Sequence, residues 1–269
     1  MPRNVRRLSG AVCVMVMCGV GDVWAQASLG TAETFAVLAG SAVTNTGASV
    51  ITGDLGVHPG GAPTGFPPGI VTGTIHAGNA TALQAKNDLV TQYNALTAAA
   101  CTSNLTGQDL GGQTLTPGVY CFNSSAQLTG TLRLNAQGNA NAIFIFKTES
   151  TLTTASASSV LLTNGGSPCG VAWRIGSSAT LGTTTSFMGN LIALTSISLN
   201  NNANIIGRAL ARNGAVTLIS NDITFAPCAL VPPPPVPTLS EWMLIGLAGL
   251  LCLTAIVALR QRRRVVLKN

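Results

Sequence analysis

The chain has 269 residues, of which 46% are hydrophobic and only 8% charged, with a formal net charge of +6. That length admits one large or two small domains. Between Ser28 and Leu230, six basic residues (Lys86, Arg133, Lys147, Arg174, Arg208, Arg212) balance six acidic ones (Glu33, Asp54, Asp88, Asp109, Glu149, Asp222). The excess charge therefore lies in the tails, and no basic face is available to neutralise nucleic-acid phosphates.

Residues 1–27 begin with Arg3, Arg6 and Arg7, run apolar through Val20, and end in Ala25-Gln26-Ala27. This is the pattern of a secretory signal peptide with an A-x-A cleavage site, which takes no part in the fold. Residues 28–230 then form the body. Up to residue 75 they are rich in Gly, Thr and Pro, with strand-like pieces at 35–38 and 49–52. The turn-dense stretches GDLGVHPG (53–60) and TGFPPG (64–69) predict irregular coils or a capping loop.

The period changes at residues 77–101. Ala82, Ala85, Leu89, Tyr93, Leu96 and Ala100 recur at spacings of three and four, one face of a helix, with Asn79 or Thr81 as its cap. About 23 residues at ~1.5 Å each give a rod of ~35 Å. With strands ~4.8 Å apart, that rod matches roughly seven stacked strands.

From residue 102 to 225 the strand period returns. Residues 171–225, laid against themselves with a shift of eighteen, keep their apolar positions. Trp173, Leu191 and Ala209 share one column, and Ile175, Ala193 and Ala211 the next. Ala179, Ile197 and Ala215 follow, then Leu181, Leu199 and Thr217, then Phe187, Ile205 and Ile223. Within a strand the columns lie two apart, so alternate side chains point inward, and the fixed period reads as coils of a β-solenoid. STLTT (150–154) imitates SATLG (178–182). The outward positions Ile192 and Leu210 are apolar where Ser or Thr is expected, which suits a face covered by the helix.

Residues 231–241 comprise the stiff spacer VPPPPVP and the motif that follows it. Residues 242–259 carry no charge and precede Arg260-Gln-Arg-Arg-Arg264. They predict a transmembrane helix with residues 260–269 as a basic cytoplasmic tail.

Of seven cysteines, Cys13, Cys18 and Cys252 lie in the terminal apolar runs and four in the body. Cys101, Cys121, Cys169 and Cys228 in an exported domain suggest two disulfides. The pairs 101–121 and 169–228 each bracket a compact segment, although sequence leaves the connectivity open and buried thiols remain the alternative. No CxxC is present, so no metal site is assigned.

Catalytic residues are not evident either. The acids are scattered, His58 sits in a Pro-Gly turn, His76 precedes the helix, and no GxSxG elbow occurs. NGGS (164–167) lacks the lysine of a phosphate-binding loop. The chain reads as a non-enzyme without cofactors.

The stretch LGTAETFAVLAGSAVTNTGASVITGDLGVHPG (29–60) resembles the opening of the bacterial and microbial ice-binding protein family, DUF3494. TGFPPG, GTIHAGNATALQAKNDL (73–89), TLTPGVY (114–120), STLTT, WRIGSSATLG (173–182), FMGNLIA (187–193) and GRALARNGAVTL (207–218) continue the match in order. The resemblance implies a mainly β fold, a discontinuous right-handed β-solenoid with one long α-helix alongside, and adsorption to an ice crystal surface. VPTLSEW (236–242), with Pro237, Thr238, Leu239, Glu241 and Trp242, resembles an IPTL-CTERM sorting signal. Val236 replaces the usual Ile there, and Met243 stands where Gly is common. That second resemblance implies export in a Gram-negative bacterium, a membrane partner and processing by an exosortase-like enzyme.

Ice binding requires no reactive group, only a flat, rigid array of small side chains. In the eighteen-residue frame one outward face carries Ser178, Ser196 and Gly214, then Thr180, Ser198 and Val216, and Thr151 and Thr153 extend it. A second carries Thr184, Asn202 and Ser220, then Ser186, Asn204 and Asp222. Val216, Asp222 and Glu149 interrupt the regularity. The alternative function is an envelope adhesin or structural surface protein that uses the same fold without affinity for ice.

Overall fold

Alternation at a period of two, interrupted every few residues by Gly, Asn or Ser-Thr turns, breaks the chain into short strands that pair in parallel. The computed structural model describes residues 29–225 and four isolated positions, 245, 250, 251 and 256. The expected signal peptide 1–27, Cys228 and the sorting motif from Pro237 to Trp242 lie outside the described residues. So does nearly all of the expected membrane segment 242–259. No helix among the described residues is long and apolar enough to cross a membrane. The chain divides into two units, Met1–Pro227 and Cys228–Asn269, and everything below concerns the first.

One sheet has six parallel strands in the order Ala126–Leu128, Leu152–Thr154, Ala179–Leu181, Ile197–Leu199, Val216–Ile219 and Val43–Thr46. The other has fifteen strands and forks along Ser186–Ala193 and Asn204–Ala211. The start of Ser186–Ala193 pairs with Ser159–Thr163, while its end pairs with Val171–Ile175. Gly189 and Gly207 sit at the forks with φ of 108° and 142°. A Cβ on Gly207 would lie 2.1 Å from the Gly189 carbonyl oxygen, so only glycine fits.

The eighteen-residue frame appears directly in the register. Trp173 pairs with Leu191 and Leu191 with Ala209, Phe187 with Ile205 and Ile205 with Ile223, Ala179 with Ile197. It slips by one residue over one strand. Ile197 pairs with Val216 rather than Ala215, and Ser198 with Thr217. The turn before Val216 holds one extra residue, so Val216 and Leu218 face the core while Thr217 faces out.

The interior is a ladder of apolar rungs. Tyr120, Phe146 and Trp173 are register partners and stack, with ring centroids 5.4 and 3.9 Å apart. Trp173 faces inward as expected, and its indole N–H donates to the Met188 carbonyl at 3.0 Å. That bond offsets the cost of burying the indole nitrogen.

One α-helix, Ala80–Ala98, lies against the fifteen-stranded sheet. Asn79 caps it by accepting the Ala82 N–H at 2.9 Å. Ala85, Leu89, Tyr93 and Leu96 pack on Val119, Ile145, Ile192 and Leu210, which explains the apolar outward residues of the repeat. The helix is shorter than the expected 77–101, and Ala100 is exposed beyond its end. Gly78, at φ 63°, precedes the cap, and Lys147 Nζ closes the other end by donating to the Thr97 and Ala99 carbonyls, each at 2.7 Å. Nineteen residues span ~28 Å, about six inter-strand steps.

The strands do not stack in chain order. Phe35–Ala39 pairs with Asn204–Ala211, Val43–Thr46 with Val216–Ile219, and Val50–Thr52 with Asp222–Thr224. The stretch 53–60, expected to be irregular, contains the strand Asp54–Val57, paired on both sides. From this end the helix carries the chain to the far end, where Ser103–Asn104 forms the last strand beside Gly118–Phe122. A disulfide joins Cys101 to Cys121 there, with Cα atoms 5.9 Å apart. Cys169 is also disulfide-bonded; its expected partner, Cys228, is outside the described residues.

Candidate functional site

The six-stranded sheet turns every second side chain outward. Gln127, Thr153, Thr180, Ser198, Thr217 and Thr44 are successive register partners, so they form one straight row across all six strands. Isolated bridges continue the row to Asp109 at one end and Thr64 at the other. Gln127, Thr153 and Thr44 are exposed, and Thr180, Ser198 and Thr217 half-exposed between their neighbours. Each strand of the sheet, with the residue on either side of it, is free of Asp, Glu, Lys and Arg.

A second row runs beside the first. Thr151 donates its hydroxyl to Ser125 Oγ at 3.0 Å. Ser178 Oγ accepts the Ser196 N–H, and Ser196 Oγ the Ala215 N–H, each at 3.3 Å. Ser178 and Ser196 thus use an acceptor lone pair to tie one turn to the next. Thr151, Thr153, Thr180 and Ser198 lie on this face where the repeat places them. Thr217, Thr44 and Gln127 are additions, and Val216 is buried instead of outward.

The second expected face divides. Thr184 and Asn202 are at φ 57° and 56°, with Ser220 at 51°. They occupy left-handed corner turns between the sheets rather than a flat strand surface. Ser186 and Asn204 are the exposed first residues of two strands of the larger sheet and are register partners. Their surface, however, also holds Arg133, Asp222 and the exposed apolar side chains Leu161 and Ile206.

Beneath the corners runs a buried polar ladder. Thr154 and Thr185 share a hydroxyl–hydroxyl bond of 2.9 Å. Asn221 Nδ2 donates to the Asn200 and Ala203 carbonyls at 2.8 Å, and the Asn221 N–H to Ser49 Oγ at 2.9 Å. Among the described residues no buried side-chain nitrogen or oxygen lacks a partner. A fully satisfied network of this kind holds successive turns in one geometry, which keeps the six-stranded face regular.

Among the described residues, parallel strands in two sheets, one helix against the larger sheet and a polar row free of charge within the six strands define a mainly β class of protein. The family described as Ice-binding-like matches residues 37–224, and the chain belongs to that family. The IPTL-CTERM motif matches residues 234–264. The chain is 59% identical over 199 residues to an ice-binding protein of Nostoc sp. (strain HG1), covering 74% of each. It is 33% identical over 231 residues to ice-binding protein 1 of Shewanella frigidimarina, covering 74% of this chain and 26% of that one. Among solved structures, an ice-binding protein from an Antarctic biological consortium superposes with a TM-score of 0.72 at 44% identity, over 82% of this chain and 96% of that one. One from the Antarctic ascomycete Antarctomyces psychrotrophicus gives 0.71 at 42% identity, over 73% and 97%.

Proposed function

We propose that the protein adsorbs to ice through the outer face of its six-stranded sheet and so slows ice growth and recrystallisation. The observation that carries this reading is the unbroken row from Gln127 through Thr153, Thr180, Ser198 and Thr217 to Thr44. Rungs ~4.8 Å apart, with alternate residues ~6.7 Å apart along each strand, set hydroxyls and methyls on a fixed two-dimensional net. Hydroxyls hold water in place while methyls keep it from reorienting freely, so the face carries an ordered water layer that joins a growing crystal. Adsorbed molecules leave the ice front to bulge between them, and the curvature opposes further growth. The names of the matched relatives support the same activity.

The larger sheet's outer face suits this less well. Hydrated Arg133 and Asp222 hold water in shells of their own and interrupt any lattice. The stacked strands are read as a discontinuous right-handed solenoid spanning residues 28–230. The sorting-motif match supports export and a surface location. In this reading residues 1–27 are removed, 231–241 space the domain from a membrane segment at 242–259, and 260–269 remain inside. An exosortase-like enzyme of a Gram-negative host then acts at the motif. Display on the envelope would hold a cell at ice.

Thermal hysteresis and recrystallisation inhibition test the function. Thr180→Tyr is expected to abolish both, and Thr184→Tyr at the corner to leave them intact. A correctly folded protein without activity overturns the reading and returns the domain to an adhesive or structural envelope role. Loss in Thr184→Tyr with retention in Thr180→Tyr would place the site elsewhere.

A further inference from the structure

The outer face of the larger sheet carries exposed Leu161 and Ile206 between one basic and one acidic side chain, Arg133 and Asp222. Ser159 pairs with Ser186 and Ser186 with Asn204, whose Oδ1 accepts the Asp222 N–H; two residues further along the strands, Arg133 pairs with Leu161 and Met188 with Ile206. Leu161 is 42% and Ile206 46% exposed. Arg133 and Asp222 flank this apolar centre at opposite ends, two strands away from Ser186–Ala193 on either side. Both are exposed. Arg174 pairs with Glu149 at 3.0 Å, away from this face.

We propose that this face binds a second copy of the chain, with the two-fold axis lying in the interface between the copies, over Ser186–Met188 and parallel to that segment. That operation reverses strand order and keeps each row opposite itself. Met188 then meets the partner's Met188, Leu161 meets the partner's Ile206, and Arg133 reaches the partner's Asp222 one step along the neighbouring row. Two sheets packed face to face lie ~10 Å apart, a gap that an arginine and an aspartate side chain span together. An isologous contact repeats each of these pairings, so both charges on both copies are neutralised at once. The charge pattern favours this occupant over any other, because like ends never meet. The face is narrow, so the dimer is weak and concentration-dependent. It leaves the Thr/Ser rows of both copies outward, and the inference does not depend on what those rows bind.

The test is sedimentation equilibrium on the full chain in a mild non-ionic detergent across a hundredfold range of concentration. The wild type is expected to rise from monomer toward twice the mass, and Ile206→Lys to stay monomeric with an unchanged circular dichroism spectrum. Arg133→Asp alone weakens association at least tenfold, and adding Asp222→Arg restores it, a rescue that poor folding cannot produce. A wild type that stays monomeric overturns the proposal. So does a dimer indifferent to Ile206→Lys and to the charge exchange, because association would then run through another surface.

Discussion

Ser198 and Thr217, like Ile197 and Val216 beside them, are register partners nineteen positions apart, where the preceding rungs are eighteen apart. The extra residue lies in the turn Arg212-Asn213-Gly214-Ala215, and it rotates the strand so that Val216 enters the core and Thr217 joins the outer row. Gly214 makes that turn fit. A Cβ there would lie 2.2 Å from Ser196 Oγ and 2.6 Å from the Thr195 carbonyl oxygen. Gly214→Val is expected to destabilise the domain by about 1–3 kcal/mol and to lower ice activity by disturbing the row. A melting curve and a recrystallisation assay on one sample check both; an unchanged melting temperature would show that the turn yields freely.

Thr217 and Thr44 stand edge to edge, with their hydroxyls 3.4 Å apart. Thr217→Lys and Thr44→Lys are each expected to cut thermal hysteresis about as deeply as Thr180→Lys. Ser178→Ala should change it little, because that hydroxyl already accepts a backbone N–H. The sinking result is a Thr217→Lys protein of wild-type activity.

Asn221 is fully buried; its Nδ2 donates to the Asn200 and Ala203 carbonyls and its Oδ1 accepts the Ile219 N–H. Asn221→Ala strands those groups away from water. A loss of about 2–3 kcal/mol is expected, read from urea midpoints.

Lys86 reaches from the helix into the stack, donating to the Ala211 carbonyl at 2.7 Å and to that of Arg212. Burial, with the Arg212 charge adding to it, pulls its ammonium down to about 8. The folded protein then releases this proton near pH 8, while an unfolded chain keeps it to about 10.4. Between those values the unfolded state binds more protons, so the Lys86 contribution to stability rises with pH; below 8 it is flat. The difference in urea midpoint between wild type and Lys86→Met is expected to grow from pH 8 to pH 10. A difference that shrinks over that window contradicts the assignment.

Cys101 and Cys121 close a loop with a sequence separation of 20, which predicts about 3 kcal/mol of stabilisation. The bond lies on the helix side, away from the Thr/Ser row. The Cys101→Ser/Cys121→Ser protein should melt earlier yet keep its thermal hysteresis at low temperature, and simultaneous loss of both would tie the face to this bond.

Much of the stack was legible because Trp173, Leu191, Phe187 and Ile205 repeat at one period with strand alternation, and because the helix period at Ala85, Leu89 and Tyr93 is distinct. The apolar Ile192 and Leu210 even marked where the helix would lie. Thr217 was not legible, since Ala215 and Val216 are both small and apolar and either fits the inward column. Thr44 sits in VTNT, an alternation too short to reveal that its partner lies beyond residue 215. Thr184 and Asn202 looked like strand-face positions because a corner turn and a strand accept the same small polar residues; only backbone dihedral angles separate them.

The pairing of Val43–Thr46 with Val216–Ile219, and of Val50–Thr52 with Asp222–Thr224, sets a schedule for synthesis. The earliest strands to leave the ribosome wait for the latest ones, with unsatisfied edges in the meantime. Contacts this distant along the chain fold slowly, because the loop entropy is spent before any contact returns it. A truncation before residue 216 removes more than a terminal strand: it strips the partner from Val43–Thr46 and deletes Thr217 from the row. The domain is therefore expected to mature in one late step, and its nascent form to be a client for chaperones that shield open strand edges.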